Sequence, residues 1–341
     1  MRVASLVVRI SAKKCPIFSK GRVVWDPYRT YRNLEIVEQP VATILGPPES
    51  ADQKRTPSPR LHQTPATAFG SPRDFLDNQF VYTVVSARAR GLSVGVNMNP
   101  DKSCNFDCIY CEVHRNGEPR QSLDVEQMAA ELKATLSLVR AGRLRERPWY
   151  RTLPDELLQL RHVALSGDGE PTLSPRFSEA LEAVVHVRAL GGYPFKVVLI
   201  TNGTGLDLPH VLNDLKHFTR SDEIWIKLDG GTQAYLNKVN RSDIPLEKVV
   251  SNILLVGRRR PIVIQSLFPS FQGEEPPLEE IEQYAQRLLE IKNGGANISL
   301  VQIYSATRPS ATSECDHLPL KVLSRIAQTV RQSTGLRAEV F

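Results

Sequence analysis

Leu92-Ser-Val-Gly-Val-Asn-Met-Asn-Pro100-Asp-Lys-Ser-Cys104-Asn-Phe-Asp-Cys108-Ile-Tyr-Cys111 is the stretch from which the rest of the chain is best read. It opens as a β-branched apolar run, Leu92–Asn97, which reads as a strand. It then becomes a polar loop rich in Asn and Asp. That loop holds three of the chain's five cysteines within eight residues. Positions 104, 108 and 111 would also share one face of a helix, where cysteines serve as small apolar residues. Pro100, Asn105 and Asp107 are poor helix-interior residues and oppose that reading. A strand followed by a functional loop is the first half of a β/α unit.

Soft thiolates gathered this closely select zinc or an iron–sulfur cluster over hard cations. Clusters take one thiolate per iron. Three thiolates on a cubic four-iron cluster leave one iron open, and an open position is where a cofactor binds. A structural zinc site lacking a local fourth ligand is the competing reading.

Outward from this loop the β/α alternation repeats. Strands are expected at His162–Leu165, Lys196–Ile200, Glu223–Lys227, Ile262–Phe268 and Ile298–Tyr304. Helical spacing follows each in turn, as in Val125, Met128, Leu132 and Leu136, or Leu323, Ile326, Ala327 and Val330. Further helices are expected from about Pro175, near Pro209–Lys216, at Pro245–Val256 and at Leu278–Ile291. Six such units imply a parallel sheet with right-handed crossovers. They are too few to close an eight-fold barrel. The expected fold is α/β, an open partial (β/α)6 TIM-like barrel, with the site at the carboxyl ends of the strands. Polar or Gly-rich strings follow the strands: Gly167-Asp168-Gly169-Glu170, Thr201-Asn202-Gly203, Lys227-Leu-Asp229 and Ser305-Ala-Thr-Arg308.

Composition fits a globular chain: 41% hydrophobic and 23% charged over 341 residues. No apolar run approaches the roughly 18 residues that span a bilayer, so no membrane partner is expected. The net charge is +6. Residues 1–75 carry twelve Lys or Arg against six Asp or Glu, while residues 76–341 carry 31 of each. Any bulk attraction to nucleic acid would come from the N-terminal part. That part is read as a basic extension, 1–75, partly disordered, with prolines crowding 47–72; the core domain is 76–341. Clustered cysteines do not read as a disulfide framework. They suggest a reducing compartment, and the chain is expected to be cytoplasmic.

The spacing Cys104-x3-Cys108-x2-Cys111, with Tyr110 before the third cysteine, resembles the signature of the radical S-adenosylmethionine superfamily. The longer string from Leu92 resembles the branch that includes the wyosine-type tRNA-base synthases. The resemblance runs from about Val81 to Phe341 and implies the partial barrel of that superfamily. It implies a [4Fe-4S] cluster on Cys104, Cys108 and Cys111, and S-adenosyl-L-methionine on the open iron. Tyr110 would face the adenine. Gly167, Asp168, Gly169 and Glu170 are similar to a Gly-Gly-Glu motif that receives the methionyl ammonium, with Asp168 standing where the first glycine is common. Asn202, Lys227 and Asp229 would contact the cofactor from the next strand ends, Thr201, Gly203, Gln265 and Ser266 beside them.

The activity implied is reductive cleavage of the cofactor followed by hydrogen abstraction from a substrate. An external one-electron reductant of flavodoxin or ferredoxin type would be the partner. A tRNA base is one substrate class, alongside a peptide or a small metabolite. The wyosine synthases carry extra cysteines for a second cluster, whereas only Cys15 and Cys315 remain here. Arg308 is a candidate anion or substrate residue, and His114 and Arg115 border the cysteine loop. The contrasting class is a non-catalytic iron–sulfur or zinc protein acting in electron transfer or RNA binding.

Overall fold

The computed structural model describes the backbone of residues 17–19 and 22–24, and residues 68–70, 75–115, 122–308, 310–311 and 314–341. Cys15 and most of the Pro-rich 47–72 stretch lie outside the described residues. The chain divides into two compact units, Met1–Leu61 and His62–Phe341. In the first, β1 (Ile17–Ser19) and β2 (Arg22–Val24) pair antiparallel, with Ile17 opposite Val24.

The second unit is a curled eight-stranded mixed sheet. In chain order its elements begin with β3 (Val81–Ser86), β4 (Gly91–Asn97), α1 (Val125–Arg140), α2 (Asp155–Leu158), β5 (Leu160–Ser166) and α3 (Phe177–Gly191). They continue with β6 (Lys196–Thr201), α4 (Pro209–Asp214), β7 (Glu223–Lys227), α5 (Gln233–Asn240), α6 (Leu246–Gly257) and β8 (Ile262–Leu267). The short β9 (Ser270–Phe271) precedes α7 (Leu278–Asn293), β10 (Ile298–Tyr304), β11 (Cys315–Asp316), α8 (Leu320–Thr334) and β12 (Ala338–Val340). The strand order is β12-β10-β8-β7-β6-β5-β4-β3, and β9 pairs with β11 outside the sheet.

The six expected strands are all present and mutually parallel. Two strands extend them. β12 adds in parallel to β10, with Val301 opposite Ala338. β3 adds antiparallel to β4, with Val81 opposite Val96. An antiparallel neighbour needs only a tight turn, and residues 87–90 provide it, with Arg90 in the left-handed region at φ 56°. α5 was not expected either. Its sequence, Gln-Ala-Tyr-Leu-Asn-Lys-Val-Asn, is largely polar. It is defined by its ends: the Thr232 hydroxyl accepts from the Tyr235 amide at 3.2 Å, and Arg241 leaves it at φ 46°.

Side chains alternate across the sheet, as the two-residue period requires. The outward set, including Val163, Leu165, Val197, Leu199, Ile224, Ile226 and Ile264, is fully buried against the helices. That layer is the main core. The inward set lines a lumen. Val198, Trp225 and Val263 form a small apolar cluster there, joined by Ile200 and Leu300. Gln265 donates to Gln302 at 2.8 Å, and His162 Nε2 lies 2.8 Å from Ser93 Oγ.

Partial barrels carry a stagger between strands that brings the start of one edge level with the end of the other. Here that stagger lets the two edges touch. Arg88, in the β3–β4 turn, stacks its guanidinium 4.1 Å from the Tyr304 ring centre at the end of β10. Arg90 donates to Glu339 of β12 at 2.6 Å. Tyr82 leans from β3 across β4 and meets Ser166 Oγ at 2.8 Å. Gly95 lies under its ring, and a Cβ there would fall 2.2 Å from Tyr82 Cζ.

Two outcomes are expected. Gly95→Ala should destabilise the fold by about 1–3 kcal/mol through overpacking, and Tyr82→Ala in the same chain should recover part of that loss in urea denaturation. His162 is buried, and its pKa is pushed down from 6.5 to about 3 by burial and then by the charges of Lys196 and Arg88. A depressed histidine contributes stability above its unfolded pKa and loses it as pH falls. Stability should therefore drop from about pH 6.5 toward 3 by up to ~1.4 kcal/mol per pH unit, and His162→Gln should flatten that slope.

Candidate active site: a cysteine loop over a half-barrel lumen

A cavity of about 480 Å³ opens at the carboxyl ends of the parallel strands and runs into the lumen. This falls in the size range of small-molecule sites. Cys104, Cys108 and Cys111 line it, as do Tyr110, Gly167, Asp168, Gly169, Glu170, Asn202 and Lys227. Asp229 borders it, paired with Lys227 at 2.9 Å. Strings separated by more than a hundred residues thus meet because each follows a strand of one parallel sheet.

The cysteine loop leaves β4 at Asn97. Asn97 Nδ2 donates to Asp168 Oδ2 at 2.8 Å, and the Asp168 amide donates back to Asn97 Oδ1 at 3.0 Å. The loop is then fixed by three neighbours. First, the Glu170 amide donates to the Ser103 carbonyl at 3.1 Å. Gly169 permits that approach, since a Cβ there would lie 1.8 Å from the same oxygen. Second, Asn202 Nδ2 donates to Asn105 Oδ1 at 2.8 Å, and Asn105 Nδ2 to Thr204 Oγ1 at 2.9 Å. Third, the amides of Asp107 and Ile109 donate to the carbonyls of Asn240 and Val239, at 3.0 and 2.9 Å, on the last turn of α5.

The sulfurs sit in different surroundings. Cys104 Sγ accepts from the Phe106 amide at 3.4 Å. Cys108 Sγ accepts from Asn240 Nδ2 at 3.2 Å. Cys111 is held by its backbone, with its amide on the Cys108 carbonyl and its own carbonyl accepting from the Ala311 amide at 2.7 Å. Burial raises the Cys104 thiol. Burial, then the charge of Asp229, pushes Cys108 up to about 12. Three cysteines on one cavity wall are the kind of donor set that a thiolate-bound cluster takes. Among the described residues no group of three or more His, Cys, Asp or Glu side chains converges to hold a single ion; a cluster spreads its thiolates, one on each iron.

Glu170 is buried and accepts four hydrogen bonds: from the Thr172 amide (3.0 Å), Thr172 Oγ1 (2.6 Å), Thr201 Oγ1 (2.5 Å) and the Asn202 amide (2.6 Å). Burial raises its pKa against these four donors, each of which favours the anion. Asp229 is likewise buried. It accepts from the Leu267 amide at 2.8 Å, from Asn240 Nδ2 at 2.9 Å and from the Tyr110 hydroxyl. Burial alone would lower the Lys227 ammonium; Asp229 and then Tyr304 outweigh it and hold it high. Lys227 also lies 4.9 Å from the Tyr110 ring centre.

The remaining sequence-derived candidates divide. Thr201 and Gln265 line the cavity. Gly203 lies behind it, its amide on Thr201 Oγ1. Ser266, one residue past Gln265, faces the helix side and bonds the Leu228 carbonyl and Tyr284 hydroxyl. Arg308 pairs with Glu112 at 3.0 Å at the cavity wall. Arg115 straps the loop through the Lys102 and Phe106 carbonyls at 2.8 and 3.1 Å, and pairs with Asp107 at 3.7 Å. The His114 carbonyl accepts from Lys102. Cys315 lies behind the loop with its thiol donating to the Ile109 carbonyl at 3.4 Å.

Sequence reasoning missed Asn240, which touches Cys108, Tyr110 and Asp229 through one amide nitrogen. It sits at the end of a helix that was itself not expected, and no spacing marks it. Tyr304 was also passed over, although it ends the sixth expected strand, the kind of position that supplied every other candidate.

No family model matches the chain. It is similar to a UPF0026 protein of Methanocaldococcus jannaschii, 26% identical over 176 residues, which cover 50% of this chain and 47% of that protein. It is also similar to a UPF0026 protein of Synechocystis, 30% identical over 181 residues, 51% of this chain and 57% of that one. The chain thus matches about half the length of these curated relatives. Among solved structures, a radical SAM methyltransferase from Sphaerobacter thermophilus superposes with a TM-score of 0.52 at 14% identity, covering 76% of this chain and 68% of that one. Streptococcus suis SuiB, solved bound to S-adenosylmethionine, superposes with a TM-score of 0.50 at 14% identity, covering 71% and 49%. The chain is therefore similar in sequence to UPF0026 proteins and has the partial-barrel fold of the radical S-adenosylmethionine enzymes.

Proposed function

We propose that this protein is a radical S-adenosylmethionine enzyme acting on a substrate held in the half-barrel lumen. The observation that carries this reading is the meeting of three cysteines with the Asp168-Gly169-Glu170 and Lys227–Asp229 strand ends around one cavity. Cys104, Cys108 and Cys111 would hold a [4Fe-4S] cluster. When bound, the cluster and the sulfonium cofactor supply a one-electron cleavage that yields a 5′-deoxyadenosyl radical.

The chain's own residues bind and orient. Gly167, Asp168, Gly169 and Glu170 would receive the methionyl ammonium. The Glu170 carboxylate is taken up by Thr172, Thr201 and Asn202, so its role there would be to set the backbone of the string. Asp168 is anchored by Asn97, whose side-chain amide donates to its carboxylate. Tyr110, Asn202, Lys227 and Asp229 would border the nucleoside, with the Tyr110 ring fixed in place by its bond to Asp229. A rigid frame matters because an error of about 1 Å in the approach of the reacting atoms can cost on the order of a hundredfold. An external one-electron donor of flavodoxin or ferredoxin type is the proposed partner. An extension, 1–75, would precede a core, 76–341. No helix among the described residues is long and apolar enough to cross a membrane.

Anaerobic reconstitution with iron and sulfide should give a cluster absorbing in the visible. Dithionite and S-adenosylmethionine should then release 5′-deoxyadenosine, detected chromatographically. Cys108→Ala should lose both the absorbance and the release. An assembled cluster beside an intact cofactor would point instead to a non-catalytic iron–sulfur module.

A further inference from the structure

The cavity continues past the cysteine loop to the open side of the sheet, where Arg88 lines it beside Tyr304, His162 and Gln265. The other basic groups on its wall are each engaged. Lys227 is paired with Asp229, and Arg308 with Glu112. Arg115 is tied to Asp107 and to two loop carbonyls. Among the described residues Arg88 has no carboxylate within ion-pair distance; its contact is the face of Tyr304. A guanidinium stacked on a ring keeps its in-plane N–H donors available.

His162 adds no second charge here, because burial keeps the imidazole neutral at ordinary pH. The acidic side chains that line the cavity, Glu112, Asp168 and Glu170, lie on the cysteine loop and on the string after β5. Trp225 and Tyr82 supply aromatic wall to the cavity, Trp225 packed edge-on against His162. The result is a cavity with anionic and sulfur groups at one end and an uncompensated cation at the other. Arg88 is half-buried, so an ion pair made there is less screened than one at the surface.

We propose that Arg88 is a specificity-determining residue that receives an anionic group, a carboxylate or a phosphate, on the substrate. The proposal rests on the reading that the cysteine end takes the cofactor, which leaves the Arg88 end for the substrate. A fork of donors fixed by Tyr304 would anchor two oxygens of such a group through two hydrogen bonds. The rest of the substrate would then extend along the lumen toward the cysteine loop.

The test uses the full chain with its cluster reconstituted. Inorganic phosphate and acetate are titrated separately by calorimetry into the native protein, Arg88→Ala, Arg88→Lys and Arg88→Gln. The native protein is expected to bind at least one of the two saturably, and which one it binds separates a phosphate substrate from a carboxylate one. Arg88→Ala should raise the dissociation constant roughly tenfold or more, the scale of a charge-assisted hydrogen bond. Arg88→Gln, which keeps a polar stem without the charge, should lose as much, and Arg88→Lys should retain part of the affinity. Binding of neither anion by the native protein, or equal binding by Arg88→Ala or Arg88→Gln, overturns the proposal. The two readings fail separately. Cofactor cleavage without anion binding counts against this one alone, and Arg88-dependent anion binding without cleavage counts against the cofactor assignment alone.

Discussion

The arrangement of the whole site depends on one buried carboxylate. Asp229 follows β7 and is 1% exposed. An unpaired charge in that position would be strongly unfavourable. It is compensated from four directions: the Lys227 ammonium, the Leu267 amide, the Asn240 side chain and the Tyr110 hydroxyl. Two of these partners belong to the sheet, one to α5 and one to the cysteine loop. Satisfying a single acid therefore ties the loop, the helix and two strands into one frame. Asn240 extends that frame to a sulfur, because the nitrogen that serves Asp229 also faces Cys108.

Glu170 plays a matching part on the other side of the loop. Its carboxylate is consumed internally by donors from Thr172, Thr201 and Asn202. It thereby joins the turn after β5 to the turn after β6, and Gly169 lets that joined unit touch the backbone just before Cys104. The loop has no regular secondary structure to stiffen it. Its rigidity comes from these flanking carboxylates and from the α5 carbonyls, which gives the cysteines fixed positions without a helix or strand beneath them.

The lumen differs from a closed barrel interior in its polarity. A closed eight-stranded barrel fills its centre with branched apolar side chains. This sheet places Ser93, His162, Lys227, Gln265, Gln302 and Tyr304 on its concave face, and keeps its large apolar core on the helix side. Arg88 and Arg90 of the β3–β4 turn bridge the open edge. A concave polar face with a partly bridged edge can hold a ligand, whereas a filled barrel cannot.

Much of this was legible in the sequence. The six parallel strands, the long amphipathic helices between them and the cysteine loop followed from periodicity and from residue chemistry, because a buried strand and an amphipathic helix each impose a local pattern. Polar strings after parallel strands were expected to share a rim, and the residues from Gly167 to Glu170, Thr201, Asn202, Lys227 and Arg308 do line one cavity with the three cysteines. The edge strands β3 and β12 and the polar helix α5 were not anticipated, since a short strand defined by its neighbour and a helix defined by its caps leave little periodic signal. Nor could periodicity place Asn240 beside Cys108, or Arg88 over Tyr304. Those pairings join residues 132 and 216 positions apart through a crossover and a sheet edge, and distance in space there is set by how the sheet coils. The sequence by itself determined which elements form and which side chains carry chemistry; the tertiary structure alone decided which of those side chains are paired, because a buried charge finds its partner only once the chain has closed around it.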